Sequence, residues 1–281
     1  MFRERIQLKT LDEIRLMRSA GHIVAGMLAE VRAAIAPGVT TAELDAIADA
    51  YLVSRGALSN FKGYHGYPAT VCISVNEEIV HGIPGERVIG VGDVVSVDGG
   101  CSVAGTGGKR WHGDSAFTVV VDPAADDDAA LSTATEDALW AAIAAVARGQ
   151  RLGVVGDAIE QVVAEAAANG TTVAIVQEYV GHGIGTEMHQ PPEVLNYSTR
   201  ERGVRLKPGM VLAIEPMLTG GGAGNRTLED RWTVVTRDGS RAAHWEHSVA
   251  ILPGGVNVLT ALDGGAAGLE RFGLTPVPLE P

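Results

Sequence analysis

Apolar residues recur along the chain with two different periods. Thr10-Leu11-Asp12-Glu13 is a capping-box pattern, and Ile14, Met17, Ile23, Val24, Met27, Leu28 and Val31 follow at helical spacing. Pro37-Gly38 stops that helix. Thr40-Thr41-Ala42-Glu43 opens a second one, which carries Leu44, Ile47 and Ala48 and ends at Gly56. Ala-rich segments near 129–148 and 156–168 repeat this pair, with a break from Gly149 to Gly153 between them. Elsewhere the apolar residues form short runs typical of buried strands: Val71-Cys72-Ile73-Ser74-Val75, Gly92 to Asp98, Asp114 to Val120, Gly209 to Glu215, and Glu246 to Leu252.

These runs repeat as a set. Val94-Val95-Ser96-Val97-Asp98 corresponds to Val211-Leu212-Ala213-Ile214-Glu215, and Asp114-Ser115-Ala116-Phe117 corresponds to Glu246-His247-Ser248-Val249. His81-Gly82-Ile83-Pro84 has its counterpart in His189-Gln190-Pro191-Pro192. Each half thus supplies two helices, a histidine, a strand ending in a carboxylate and a strand beginning with one. Two such halves related by a pseudo-twofold predict an α+β fold, a curved antiparallel sheet with helices on its outer face. Neither half buries its sheet alone, so residues 1 to about 260 read as a single domain. Residues 261–281 are rich in Gly and Pro and read as a loose C-terminal tail.

Composition narrows the class. Of the 281 residues, 46% are hydrophobic and 20% charged, which suits a soluble chain with a sizeable core. The formal charge of −12 disfavours a nucleic-acid-binding surface, which needs clustered Lys and Arg. Cys72 and Cys101 have no metal-ligand spacing and form no disulfide framework, pointing to a reduced cytosolic compartment. Met1 to Gln7 holds no apolar leader, and the longest apolar stretch, Ala138 to Ala147, is too short to span a bilayer.

Five residues stand where metal ligands would be wanted: Asp98, Asp114, His182, Glu215 and Glu246. A carboxylate beside a buried apolar run must be paired, protonated or metal-bound, because an isolated buried charge is very costly. An ion pair with Arg or Lys is the ordinary explanation for one such residue. Here the carboxylates come as repeat-related pairs, and neither strand run contains a cation. Four converging carboxylates carry a charge of about −4, which two divalent ions neutralise without Lys or Arg. A set of carboxylates with one imidazole suits Mn, Fe, Co or Zn.

The segment Gly63-Tyr64-His65-Gly66-Tyr67-Pro68-Ala69 to Cys72-Ile73-Ser74-Val75-Asn76-Glu77, followed by His81-Gly82-Ile83-Pro84-Gly85, resembles the type I methionine aminopeptidases. So do Trp111-His112-Gly113-Asp114, Gly181-His182-Gly183-Ile184-Gly185, Ile214-Glu215-Pro216-Met217 and Glu246-His247-Ser248, in family order from about Ile6 to about Pro253. The resemblance implies the pita-bread fold, in agreement with the repeat. It also implies removal of an initiator methionine ahead of a small second residue, by hydrolysis with a metal-bridging hydroxide. By the same resemblance Asp114 and Glu246 bridge two divalent metal ions, Asp98 completes one site, and His182 and Glu215 complete the other. Glu215 also accepts the proton of the attacking water. His81 then lies near the substrate amine or scissile nitrogen, and His189 bonds the scissile carbonyl oxygen. Tyr64, Tyr67, Cys72, His81 and Trp232 match positions around the methionine side chain. For Tyr67 and Cys72, ordinary packing beside a strand is an equal alternative. Phe61 and Met188 stand where related pockets are also lined. The implied partners are peptide N-termini met at the ribosome, and the implied state is a cytoplasmic monomer. Because Phe2 is bulky, Met1 is expected to be retained.

His22 is read as a surface or helix residue, His65, His112, His244 and His247 as supporting or structural groups beside the motifs, and Cys101 as a packed thiol. Gly105 to Arg110 fails as a phosphate loop, and no His-Glu-x-x-His or Gly-x-Ser-x-Gly occurs. Asp98 and Asp114 are separated by a longer hairpin than the resembled family has, with a Gly-rich Ser102–Lys109 region that either extends the tip or disturbs the site. Gly100 sits where a hydroxyl residue is common. A prolidase, an aminopeptidase P or a creatinase-like hydrolase would share fold and ligands but resembles a longer chain. A non-catalytic binding module would be expected to have lost ligands.

Overall fold

The structure, a computed structural model, describes residues 6–279. The readings of residues 1–5, including the retention of Met1 before Phe2, lie outside the described residues, as do Glu280 and Pro281. Both predicted capping boxes form. Thr10 Oγ1 accepts from the Glu13 N–H while Glu13 Oε2 accepts from the Thr10 N–H at 2.8 Å, and Thr40 and Glu43 do the same. Each such cap is worth about 1 kcal/mol to its helix. They open α1 (Leu11–Ala34) and α2 (Thr41–Ser54). The second pair is α3 (Asp126–Arg148) and α4 (Val154–Ala168).

Among the described residues the main sheet has nine strands, all paired antiparallel. In the first half, Cys72–Val75 and Arg110–Val120 flank Val94–Ala104. In the second, Gly181–Gly183 and Glu246–Leu252 flank Val211–Ile214. The halves join where Glu246 faces Ala116 and His247 faces Ser115. This is the predicted pseudo-twofold, with its seam between the strands that carry Asp114 and Glu246; the first of these starts earlier than the sequence pattern suggested, at Arg110.

Each half-sheet carries its own helices. Val24, Met27, Leu28 and Val31 of α1, with Leu44, Ala48 and Leu52 of α2, cover Val71, Ile73, Val95 and Val97. Leu139, Ile143 and Val146 of α3, with Val155 and Ile159 of α4, cover Leu212, Ile214 and Val249. Each fully buried Leu, Ile or Val contributes about 1.5–3 kcal/mol of transfer free energy. Trp245 packs against both clusters and ties them at the seam. α1 sits directly on the sheet because it carries glycine at Gly21, where a Cβ would lie 2.2 Å from Leu259 O.

Two small three-stranded sheets close the far side. One joins Ala174–Ile175, Met217–Thr219 and Ala242–His244, and the other joins Glu78–Val80, Asn225–Thr227 and Val234–Thr236. No helix among the described residues is long and apolar enough to cross a membrane.

Two expectations are resolved here. The Ser102–Lys109 region extends the hairpin tip: Val94–Ala104 and Arg110–Val120 pair in continuous register from Val94 with Val120 to Ala104 with Arg110. The tail is not loose. It forms a short helix, Ala266–Glu270, with Leu269 fully buried. Val277 N–H donates to Val256 O at 2.8 Å, and Leu279 joins a cluster with Ile14 and Trp111. Gly and Pro made the segment read as unstructured, but its few apolar residues find a surface that exists only once both halves are folded.

Candidate metal centre and active site

Strand register alone places the five candidate ligands on one face. Side chains alternate across a strand, and directly opposed residues share a face. Asp98 opposes Ala116, which opposes Glu246, while Asp114 lies two residues before Ala116 on the same strand. His182 opposes Ala213, which opposes Ser248, two residues after Glu246. Glu215 follows Ala213 by two. All five therefore project from the inner, concave side, away from the helices.

They line one cavity of about 260 Å³, together with His81, His189, Tyr64, Tyr67, Cys72 and Trp232. Every sequence-predicted site residue is thus brought together. Asp114, His182 and Glu246 form the tightest group, each offering a ligand atom within 4.8 Å of the other two. His182 Nε2 is also 3.4 Å from Glu215 Oε1. Asp98 and Glu215 stand at the cavity wall beside this trio.

The electrostatics of this group are unusual. Among the described residues, no Lys or Arg lines the cavity. Burial, reinforced by repulsion from Glu215, pushes the Asp98 carboxyl up to about 7, and burial pushes Glu215 up to about 8. Burial and then repulsion from neighbouring carboxylates drive Asp114 and Glu246 well above the usual carboxylate range. Asp98 and Glu215 keep a little exposed surface into the cavity, yet protein surrounds them on all other sides. Burial lowers His182 to about 3, so its imidazole is neutral, the form that ligates metal. Asp98 Oδ1, Asp114 Oδ1 and Glu246 Oε1 have essentially no solvent contact and no hydrogen-bond partner. Orphaned carboxylate oxygens of this kind fit divalent cations, which would replace the missing hydrogen-bond partners.

The wall opposite is apolar and aromatic. Tyr67 and Trp232 meet edge-on with centroids 5.1 Å apart, and Phe61, Cys72 and Met188 complete a buried cluster. The Tyr67 hydroxyl donates to Gly82 O at 2.9 Å, which leaves its ring as the pocket surface. His81 reaches inward because its backbone is left-handed, with φ of 61°. That costs about 1–3 kcal/mol for a non-glycine residue. The cost is met by its neighbour, since Ile73 N–H donates to Gly82 O at 2.9 Å and a Cβ on Gly82 would lie 2.3 Å from Ile73 O. Burial lowers His81 to about 4. His189 lies at the exposed mouth, its Nδ1 3.0 Å from the Tyr64 hydroxyl and its ring 4.3 Å from that of His182.

Sequence reading did not name Tyr179, Val180 and Met217, which also line the cavity, and it read His244 only as a supporting or structural group. Tyr179 meets His81 edge-on at 5.6 Å. No local pattern marks Tyr179, which lies in the loop between Ala174–Ile175 and Gly181–Gly183, whereas Val180, Met217 and His244 sit in or beside the quoted motifs, which do not reveal these contacts. The alternatives of packing and pocket for Tyr67 and Cys72 are not exclusive, since both are buried and both line the cavity.

A curved antiparallel sheet built from two half-repeats, with a carboxylate-rich concave face, defines a class of metal-dependent peptidase. The chain belongs to metallopeptidase family M24, whose model matches residues 15–253. It is 44% identical over 252 residues to methionine aminopeptidase 1 of Bacillus subtilis, covering 90% of this chain and 98% of that one. With methionine aminopeptidase 1 of Mycobacterium tuberculosis the identity is 46% over 254 residues, covering 90% and 94%. Among solved structures, methionine aminopeptidase of Thermotoga maritima matches with a TM-score of 0.84 at 40% identity, over 91% of this chain and 99% of that one. Prolidase of Pyrococcus furiosus shares the fold, with a TM-score of 0.69 at 21% identity, and this chain spans 65% of it.

Proposed function

We propose that this chain hydrolyses the peptide bond after an N-terminal methionine, the activity named in its relatives, and that two divalent ions serve it. The observation that carries the reading is a floor of four carboxyls, Asp114 and Glu246 buried and Asp98 and Glu215 nearly so, with one neutral imidazole and, among the described residues, no cation, facing an aromatic and sulfur-lined wall. A flexible thioether suits such a wall, because its polarisable sulfur makes favourable contacts with ring edges.

In this reading Asp98, Asp114, His182, Glu215 and Glu246 are the residues that would hold the ions. When bound, such a pair supplies Lewis acidity and lowers the pKa of water to near neutrality. The chain's own residues do the rest. Tyr67, Cys72 and Trp232 take the methionine side chain and exclude water around it. His189, at the mouth, donates to the scissile carbonyl oxygen as negative charge develops there. Its Nδ1 is engaged by Tyr64, which turns Nε2 towards the reacting group. Glu215 takes a proton from the attacking water and passes it to the leaving amine, beside which His81 stands. The substrate is the N-terminus of a nascent chain met at the ribosome in the cytoplasm, and the working unit is a monomer.

The test is release of Met from Met-Ala-Ser, Met-Lys and Pro-containing control peptides, after metal removal and after adding back Mn, Fe, Co or Zn. Metal-dependent release of Met from Met-Ala-Ser alone is expected. Equal turnover of Met-Ala and Met-Lys peptides would contradict the specificity for a small second residue, and silence with every metal would overturn the activity.

A further inference from the structure

His244 ends the strand Ala242–His244 and faces Met217 across the small sheet, two residues beyond Glu215. Its backbone is held from two sides. The His244 N–H donates to Thr118 Oγ1 at 2.9 Å and, more weakly, to Ser96 Oγ at 3.3 Å, while the Thr118 hydroxyl donates to His244 O at 2.8 Å. Ser96 lies two residues before Asp98, and Thr118 lies four residues after Asp114. The strands that present two candidate ligands therefore also anchor His244 at the inner face of the sheet.

The side chain is 2% exposed, and its Nε2 has no hydrogen-bond partner. A buried imidazole nitrogen left in this state costs about 1–3 kcal/mol unless something engages it. The nearest carboxylate is Glu215, whose Oε2 is 3.7 Å away, while the other oxygen, Oε1, is 3.4 Å from His182 Nε2. Glu215 is thus bracketed by two imidazoles, one per oxygen. The His244 separation is only a few tenths of an ångström beyond a formed hydrogen bond, so a small rotation of either side chain closes it. Charge interactions with Asp98 and His81 put the ring at the junction of the carboxylate floor and the pocket wall.

We propose that His244 is a positioning residue: its Nε2–H supports Glu215 Oε2 from the protein side and keeps Oε1 turned toward His182 and the metal site. A partner of this kind fixes the rotamer of a ligating carboxylate, and its loss costs about 10–100-fold in metal affinity or activity. The inference rests on the proposed metal site but not on the identity of the substrate.

Three proteins test it: the parent, H244Q, which keeps an N–H donor, and H244M, which keeps volume without a donor. Manganese binding to each metal-free protein is measured by calorimetry, and kcat and KM are measured on Met-Ala-Ser with manganese restored. H244M is expected to bind manganese about 10–100-fold more weakly and to lose kcat by a similar factor, with KM within about threefold. H244Q is expected to recover most of both losses. H244M equal to the parent overturns the proposal. So does an equal fall of H244M and H244Q, which marks a packing role only. A second readout needs no loss of donor: in the histidine nitrogen spectrum of the zinc-loaded parent, assigned by the signal missing from H244Q, the His244 proton resides on Nε2. A proton on Nδ1 overturns the proposal even if H244M does not fold. If the parent releases no Met with any metal, the proposed activity fails, while manganese affinity still decides the role of His244.

Discussion

Gly100 offers a direct probe of how tightly the candidate centre is built, and G100A is expected to damage it. Gly100 opposes Asp114 in the long hairpin. A Cβ placed there lies 2.4 Å from Asn60 Nδ2 and 2.6 Å from Asp114 Oδ1, well inside contact distance. Neither neighbour yields easily. Asn60 is 8% exposed, donates from Nδ2 to Gly113 O at 3.0 Å, and has Oδ1 2.8 Å from His112 Nδ1. Asp114 is 3% exposed and belongs to the tight trio with His182 and Glu246. Displacing Asn60 forfeits two hydrogen bonds at about 1 kcal/mol each, and overpacking adds about 1–3 kcal/mol. The sum is about 3–5 kcal/mol, a fall in Tm of about 6–15 °C at about 2–3 °C per kcal/mol for a chain of this size. If Asp114 is the group that moves, the loss appears instead as metal affinity weaker by about 10–100-fold. Calorimetric unfolding with and without chelator, beside manganese titration of the metal-free protein, reads both quantities. G100A with unchanged Tm and unchanged manganese affinity would refute the claim that these side chains are held rigidly around Gly100.

Two further outcomes are expected. L269A should cost about 2–5 kcal/mol in urea denaturation, because Leu269 is fully buried against the second-half core; a loss below about 0.5 kcal/mol would restore the tail to a loose appendage. In metal-free protein above about pH 7, where the histidines are neutral in the folded and unfolded chain alike, the raised carboxyls of Asp98 and Glu215 still hold protons that the unfolded chain has released, so stability should fall as pH rises from about 7 to about 8; at lower pH the lowered histidines His81 and His182 oppose that slope, because the unfolded chain protonates them first. Saturating manganese should flatten that slope, and a metal-free urea midpoint that instead climbs between about pH 7 and about pH 8 would show that the carboxyls are not held in the way described.

Much of this protein was legible in its sequence, for identifiable reasons. The capping boxes at Thr10 and Thr40 are local, needing only four consecutive residues, and both helices begin where those residues say. The repeat of helix pair, carboxylate-ending strand and carboxylate-starting strand is a pattern of residue types, so it could be read before any contact was known. It was enough to announce the pseudo-twofold, and with the family resemblance it singled out Asp98, Asp114, His182, Glu215 and Glu246. The Ser102–Lys109 hairpin and the C-terminal segment were not decided by pattern. Whether extra glycines extend a hairpin or break it depends on ladder hydrogen bonds continuing from Ala104 to Arg110, and only the folded register shows that they do. Leu269 and Leu279 look like isolated apolar residues in a Gly- and Pro-rich tract until the surfaces that bury them have been assembled. Tyr179 enters the site from a segment whose local sequence carries no sign of it, and the motifs that hold Met217 and flank His244 do not show the contacts these two side chains make. Their position depends on small sheets closing over the concave face, a long-range packing event that places side chains far apart in the chain within a few ångströms of one another. The sequence by itself determined the chemistry and the symmetry of this protein; the tertiary structure decided which neighbours surround that chemistry, because burial and proximity belong to the assembled chain and not to any stretch of it.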